Sequence, residues 1–237
     1  MLNPNNNCKL KINNLSNLEK NKLYKNNYYL SKKKFDNIIN LRELLISKDF
    51  NQPLKNSLNI LKNLKKLSLG KKFNYSLENS LDYLINLKIL TLSINFNQPL
   101  KNSLNNLINL KKIFFGDCFN QPLKNSLNNL INLEILDFGK NFNQPLTGIC
   151  NLINLKEIYY YSKKLNHELP YNIKKINLDN YNINNIIDKI PNTIEELNIY
   201  HSNQNFLNKK NCIIEIIIKL NNLPNSIKKI NIIILKN

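Results

Sequence analysis

Large apolar side chains recur along this chain at a constant interval of 23 residues. The clearest marker is the word Phe-Asn-Gln-Pro-Leu, which begins at Phe50, Phe96, Phe119 and Phe142, with altered forms beginning at Phe73 and Leu165. A constant period of this length is typical of a solenoid, in which one supersecondary unit stacks on the next. The periodicity therefore predicts one continuous domain built from stacked coils.

Each repeat is predicted to contain a short strand and a return segment. Leu67 and Leu69 lie two positions apart and recur in later repeats, so they are expected to point to the same face of a strand. Ahead of the strand, Leu54, Leu58 and Leu61 recur at spacings of four and three. This spacing indicates one side of a short helix or a series of tight turns.

The repeat is regular only in the middle of the chain. Residues 1–30 do not match it, and their scattered leucines favour a cap or an arm at the N-terminal end. We expect regular 23-residue repeats over residues 31–169 and degenerate repeats over residues 170–237. An insertion is predicted near residues 203–220, where the segment Ile213–Ile218 has the composition of a strand.

Two columns of the repeated word are predicted to be structural. The aromatic column is expected to form a core spine, and it comprises Phe50, Phe73, Phe96, Phe119 and Phe142. Asparagine in tight turns hydrogen-bonds backbone groups that strands leave unpaired, and stacked asparagines can form a ladder. The asparagine column that follows the aromatic one includes Asn51, Asn97, Asn120 and Asn143.

The pattern Leu87-x-x-Leu90-x-Leu92-x-x-Asn95 resembles the leucine-rich repeat signature. The Phe-Asn-Gln-Pro-Leu word, with later Leu-Pro-x-Ser-Ile-x-x-Ile-x-Ile units, resembles the FNIP branch of that superfamily, which is known from social amoebae and large amoeba-infecting DNA viruses. The resemblance implies an α/β repeat solenoid with a parallel sheet on its concave face and short helices or turns on its convex face. It also implies a non-enzymatic interaction module. Some FNIP proteins carry an F-box that recruits a ubiquitin ligase, but residues 1–30 do not resemble one.

The composition leaves the meaning of the charge open. The chain has 52 asparagines, a net charge of +18 and a single arginine, Arg42, and it lacks alanine, valine and tryptophan. A strongly basic protein is a candidate for binding nucleic acid or another polyanion. An A+T-rich coding sequence would produce the same excess of lysine and asparagine without any selection for binding.

The concave face of the predicted sheet is the expected site of protein binding. Aromatic residues dominate protein interfaces. Those predicted on or near this face toward its C-terminal half are Phe114, Tyr159, Tyr161 and Tyr200. We therefore expect a protein partner to bind around these four residues.

A lysine column lies one position ahead of each predicted strand and supports the alternative function. This basic edge comprises Lys65, Lys88, Lys111, Lys156 and Lys174, and Glu134 and Glu195 interrupt it. Such a row can contact phosphates, although a lysine row is more often a solvated face. Readout of bases favours the planar fork of arginine, of which there is only one.

Enzymatic chemistry is not predicted. The four cysteines, Cys8, Cys118, Cys150 and Cys212, lack the spacing of a zinc site. Two histidines lie in different repeats, and no glycine-rich phosphate loop is present. We therefore expect neither a metal nor a cofactor. No apolar run has the length of a signal peptide or a membrane span, which favours an intracellular, cytoplasmic protein, in the host cell if the source is viral. The oligomeric state stays open.

Overall fold

The computed structural model describes residues 40–161, 169–179, 189–202 and 223–235. The cap expected over residues 1–30, the insertion near 203–220 and Leu165 lie outside these ranges. Within them, nine strands form one sheet in sequential order. The strands are β1 (Glu43–Leu45), β2 (Lys66–Ser68), β3 (Ile89–Thr91), β4 (Lys112–Phe114), β5 (Ile135–Asp137), β6 (Glu157–Tyr160), β7 (Lys175–Asp179), β8 (Glu196–Ser202) and β9 (Lys229–Leu235). Every neighbouring pair is parallel.

The repeat period sets the register of the sheet. Glu43 pairs with Lys66, which in turn pairs with Ile89, so equivalent repeat positions lie side by side. The register persists where the chain departs from the period: Glu157 pairs with Lys175, and Glu196 pairs with Lys229. Differences in coil length are therefore taken up outside the sheet.

The core is a continuous apolar column between the sheet and the return segments. The middle residue of each three-residue strand is buried, as Leu67 is in β2. Leu69, two positions after Leu67, is buried as well. Phenylalanine rings stack between successive coils, with centroids 6.3 Å apart for Phe73 and Phe96 and 6.1 Å apart for Phe96 and Phe119. Each coil thus buries its apolar residues against the coils on either side, which an isolated repeat cannot do.

The return segments are turns for most of their length. The amide of Leu61 donates to the carbonyl of Leu58, and that of Leu64 donates to Leu61, so each closes a four-residue turn. Lys55, Lys101 and Lys124 have positive φ angles of 44°, 46° and 46°, a left-handed conformation that interrupts an α-helix. A 3-10 helix occupies Thr147–Ile149.

This architecture confirms the predicted fold class. Nine parallel strands line one face, and turns rather than α-helices form the opposite face of the described residues. The chain is a curved, leucine-rich-repeat-like solenoid. Of the two alternatives for the convex face, the turns are correct.

Candidate protein-binding surface

The outward side chains of the strands form two columns across the concave sheet. The first contains Glu43, Lys66, Ile89, Lys112, Ile135, Glu157, Lys175 and Glu196, and the second contains Leu45, Ser68, Thr91, Phe114, Asp137, Tyr159, Asn177 and Asn198. In β1–β5 the two outward residues of each strand are partly exposed on either side of a buried residue. The sheet therefore presents a surface of mixed charge.

Three of the four predicted aromatic residues come together on this surface. Tyr159 lies in β6, Tyr161 directly follows that strand, and Tyr200 lies in β8. The three phenols influence one another electrostatically, and all three are partly buried. We call Tyr159, Tyr161 and Tyr200 the tyrosine cluster. Phe114 lies in β4, with Asp137 between it and Tyr159 in the register.

The tyrosine hydroxyls are held in their neutral form. Burial raises the pKa of Tyr159, and the carboxylate of Glu157 raises it further. Burial likewise raises the pKa of Tyr161, with Asp137 adding to the effect, and it raises that of Tyr200 although Lys175 opposes the shift. All three phenols therefore stay protonated at neutral pH, and that of Tyr159 already hydrogen-bonds with Glu157.

Asp137 lies between the tyrosine cluster and Phe114 and has a perturbed carboxyl group. Burial raises its pKa from 3.8 to about 6, against the hydrogen bond that the backbone amide of Gly139 donates to Oδ1 at 2.9 Å. The nearby Asp117 carboxylate raises the pKa further. The strand phase alone places Asp137 in the outward column, but nothing in the local sequence reports its burial.

An alternating charge ladder borders the cluster on β6–β9. Lys175 Nζ lies 3.2 Å from Glu157 Oε1 and 3.7 Å from Glu196 Oε1, and Lys229 Nζ lies 3.5 Å from Glu196 Oε1. Burial lowers the pKa of Lys175. The hydrogen bond with Glu157 and the negative charges of Glu157 and Glu196 raise it by more, so the net shift is upward. The positive charge of this surface is thus largely compensated within the described strands.

An asparagine ladder lies beside the charge ladder. Asn177 Nδ2 donates to Glu157 Oε1 at 2.9 Å, Asn198 Nδ2 donates to Asn177 Oδ1 at 2.7 Å, and Asn231 Nδ2 donates to Asn198 Oδ1 at 2.6 Å. Asn177 and Asn198 are buried, although their strand phase placed them in the outward column. They support the surface rather than forming it. The recurring Ile-Asn-Leu, Leu-Asn-Ile and Ile-Asn-Ile words were the available signal for this ladder.

The basic edge is exposed but interrupted. Lys111 Nζ lies 2.6 Å from Glu134 Oε1, and Glu195 contacts both Lys174 at 3.0 Å and Lys228 at 2.8 Å. Hydrogen bonds from these lysines lower the pKa of Glu134 and Glu195. Lys65, Lys88 and Lys156 are exposed as well. The edge is therefore a set of local ion pairs and separate lysines, not an unbroken cationic track.

The described residues contain no group of three or more histidine, cysteine or acidic side chains placed to hold a metal ion. Cys118 is partly buried and Cys150 is exposed, and both are free thiols. Cys8, Cys212 and His167 lie outside the described ranges. No helix within those ranges has the length and apolar character needed to cross a membrane.

No known protein family matches this sequence, and no curated protein matches it. Among solved structures, the chain is similar to internalins. An internalin (inlF) from Listeria monocytogenes str. 4b F2365 shares 15% sequence identity at a TM-score of 0.49, over 85% of this chain and 64% of that one. An internalin C2 from the same strain shares 17% identity at a TM-score of 0.48, over 85% of this chain and 74% of that one. This chain thus spans less than two thirds of the inlF internalin.

Proposed function

We propose that this protein is a non-enzymatic interaction module that binds a protein partner on its concave sheet, centred on the tyrosine cluster. The observation that carries the proposal is that three partly exposed tyrosines lie within three adjacent strands of one sheet. Tyrosine combines a large apolar ring with a polar hydroxyl and loses little conformational entropy on binding, which explains its enrichment at interfaces. Phe114 is the fourth residue of the proposed site, at its edge.

The framework beneath the cluster supports the same proposal. The asparagine ladder and the charge ladder tie β6–β9 together through side chains as well as through the backbone. A surface that is already ordered loses less free energy when a partner binds. The cluster therefore has both the residue types and the preorganisation of a binding site.

The test is capture of partners from the source cell with the full chain as bait. A Tyr159→Ala/Tyr161→Ala/Tyr200→Ala variant should lose its partner by roughly tenfold or more, because truncation of central aromatic anchors removes most of the binding free energy. The matched control is Tyr75→Ala/Tyr83→Ala, since these tyrosines are 40% and 50% exposed outside the sheet. The control should retain capture.

A further variant separates folding from binding. Tyr159→Phe/Tyr161→Phe/Tyr200→Phe keeps the rings and removes only the hydroxyls, so circular dichroism should match the parent chain. Thermal unfolding measures what the lost hydrogen bond between Tyr159 and Glu157 contributes to stability. Weakened capture by this folded variant supports the site. Undiminished capture by the triple alanine variant would refute it.

The alternative of polyanion binding at the basic edge has weaker support. Glu134 and Glu195 neutralise part of the lysine column through contacts of 2.6–3.0 Å. Polyanion binding falls steeply with added salt, so absence of binding to duplex DNA or RNA at low ionic strength would remove it. A role as a ubiquitin-ligase adaptor rests on the family resemblance and on residues 1–30, which lie outside the described ranges.

A further inference from the structure

A stripe of exposed apolar residues runs along one lateral edge of the solenoid, away from the concave site. Each of five successive coils contributes one residue at the same repeat position. We call these residues the isoleucine stripe: Ile85, Ile108, Ile131, Ile153 and Tyr171, with 47%, 50%, 51%, 71% and 74% of their surface exposed. Single exposed apolar residues are ordinary, but a contiguous row of them marks an interaction surface.

The backbone holds this stripe in place. Each isoleucine is the second residue of a tight turn, as at Ile108, where the amide of Leu110 donates to the carbonyl of Leu107 at 2.9 Å. The next residue of the turn is asparagine, and its amide group binds the previous coil. Asn109 Nδ2 donates to the Ile85 carbonyl at 2.8 Å, and Asn132 Nδ2 donates to the Ile108 carbonyl at 2.9 Å. The row is therefore formed before any partner arrives.

The spacing of the stripe fits an α-helix lying along it. Neighbouring strands of a sheet are about 4.8 Å apart, so five coils place the stripe over roughly 20 Å. Side chains on one face of an α-helix recur about every 5.4 Å. A partner helix of about four turns can thus place one apolar residue between each pair of coils.

The charge beside the stripe selects the kind of partner. Three positions after the stripe residues lie Lys88, Lys111, Lys156 and Lys174, and Glu134 breaks the series. Lys111 pairs with Glu134 and Lys174 with Glu195, so Lys88 and Lys156 carry most of the attraction for an acidic partner. A second copy of this chain would oppose its own lysines on the same face. The first 39 residues are also unsuitable, because they contain eight lysines and two acidic residues. An acidic partner is favoured by both the lysine row and the net charge of +18.

We propose that the isoleucine stripe and the adjoining lysines bind an acidic amphipathic helix of another protein. The apolar face of that helix packs on the stripe, and its flanking glutamates or aspartates meet the lysines. This interface is separate from the tyrosine cluster and does not depend on it.

The probe is a fluorescent synthetic helix of 18 residues, with leucine on one face and glutamate elsewhere. Fluorescence anisotropy with the full chain should show about tenfold tighter binding than to a peptide of the same composition in scrambled order, because only the helix with an apolar face matches the stripe. Ile108→Ser/Ile131→Ser should abolish that preference. The matched control is Tyr75→Ser/Ile94→Ser, which replaces two residues outside the stripe that are 40% and 42% exposed. This control should keep the preference for the ordered peptide.

Charge reversal gives a second, independent readout. Lys88→Glu/Lys156→Glu should weaken binding of the glutamate peptide and strengthen binding of its lysine counterpart. Circular dichroism and thermal unfolding check that every variant remains folded. Equal affinity for the ordered and scrambled peptides, or no loss in the isoleucine variant, would overturn the proposal. Stripe-dependent sedimentation with phosphatidylserine vesicles and no helix preference would assign the stripe to membranes instead. Stripe-dependent self-association would assign it to a second copy.

Discussion

At the residue scale, asparagine holds successive coils together in two distinct ways. In one column the side-chain oxygen accepts: Asn97 Oδ1 receives the amide of Asn120 at 2.9 Å and Gln121 Nε2 at 3.0 Å. In the other the side-chain nitrogen donates to the carbonyl of the previous coil, as Asn109 does. The sequence alone indicated the first column through its turn chemistry. The second went unrecognised, because an asparagine between leucines gives no sign of which backbone group it faces.

Asn97→Ala removes the acceptor for two donors, and we expect it to lower the free energy of unfolding by about 1 kcal/mol. Asn97→Asp retains an acceptor oxygen at the same place and is the matched control. Urea unfolding of both variants measures the difference. Equal destabilisation by alanine and aspartate would show that the hydrogen bonds to Oδ1 contribute nothing.

Asp137 makes stability depend on pH. Its pKa is about 6 in the folded chain and near 3.8 when unfolded, so between these values the folded state keeps a proton that the unfolded state releases. The stabilisation is complete below pH 3.8 and is lost as the pH rises through 6. Asp137→Asn should therefore raise stability above pH 6, by about 3 kcal/mol at most, from the value of 1.36 kcal/mol per pKa unit.

The measurement is urea unfolding of both chains between pH 4 and pH 8. The difference in unfolding free energy between the Asp137→Asn variant and the parent should grow with pH, while the amide of Gly139 keeps an acceptor in both. A difference that stays constant across this range would contradict the burial of a titrating Asp137.

At the scale of elements, the strands were predictable and the return segments only in outline. Leu67 and Leu69 carry the two-residue alternation of a strand, and the 23-residue period fixes the pairing of one strand with the next. The spacing of Leu54, Leu58 and Leu61 fits a helix and a series of turns equally well. The decision rests on Lys55 in the left-handed region, and side-chain type does not reveal that conformation.

The sequence also predicted the candidate site only in part. Strand phase identifies Tyr159 and Phe114 as outward residues, but it treats Asn177 and Asn198 as outward too. Both are nevertheless buried, and their amides bond to one another along the sheet, which satisfies the polar groups away from water. Such a pairing depends on two strands at once, so no single segment encodes it.

Gly116 shows how closely the coils approach after the strand. A Cβ atom there would overlap the backbone oxygen of Ser93 in the previous coil. We expect Gly116→Ala to destabilise the chain by about 1–3 kcal/mol, because backbone on both coils must shift. Cys150→Ala, at an exposed position, is the control and should have little effect. Thermal unfolding compares the two, and an unaltered midpoint for the Gly116 variant would disprove the close approach.

At the scale of the whole molecule, the solenoid carries a large excess of positive charge. The net charge is +18, and the ion pairs on its surface are exposed or partly exposed. Exposed pairs contribute about 0–1 kcal/mol each, whereas self-repulsion acts across the entire chain. Repulsion between coils should therefore dominate the response to salt.

We expect the thermal midpoint to rise between roughly 20 mM and 300 mM potassium chloride, because screening weakens that repulsion over distances of about 10 Å or more. Replacing exposed Lys48, Lys62 and Lys71 by glutamine lowers the charge and should reduce the rise. A midpoint that falls with salt would mean that the ion pairs outweigh the net charge.

The two asparagine columns give the molecule an uneven resistance to chemical ageing. Slow deamidation turns an asparagine amide into a carboxylate, which still accepts hydrogen bonds but no longer donates them. Asn97 and its equivalents would continue to receive the amides of the next coil after this change. Asn109 and Asn132 would instead place a negative oxygen against the carbonyls of Ile85 and Ile108. After long storage, the hydrogen bonds between coils should therefore be lost first beside the isoleucine stripe. The turns that carry the stacked phenylalanines should keep theirs.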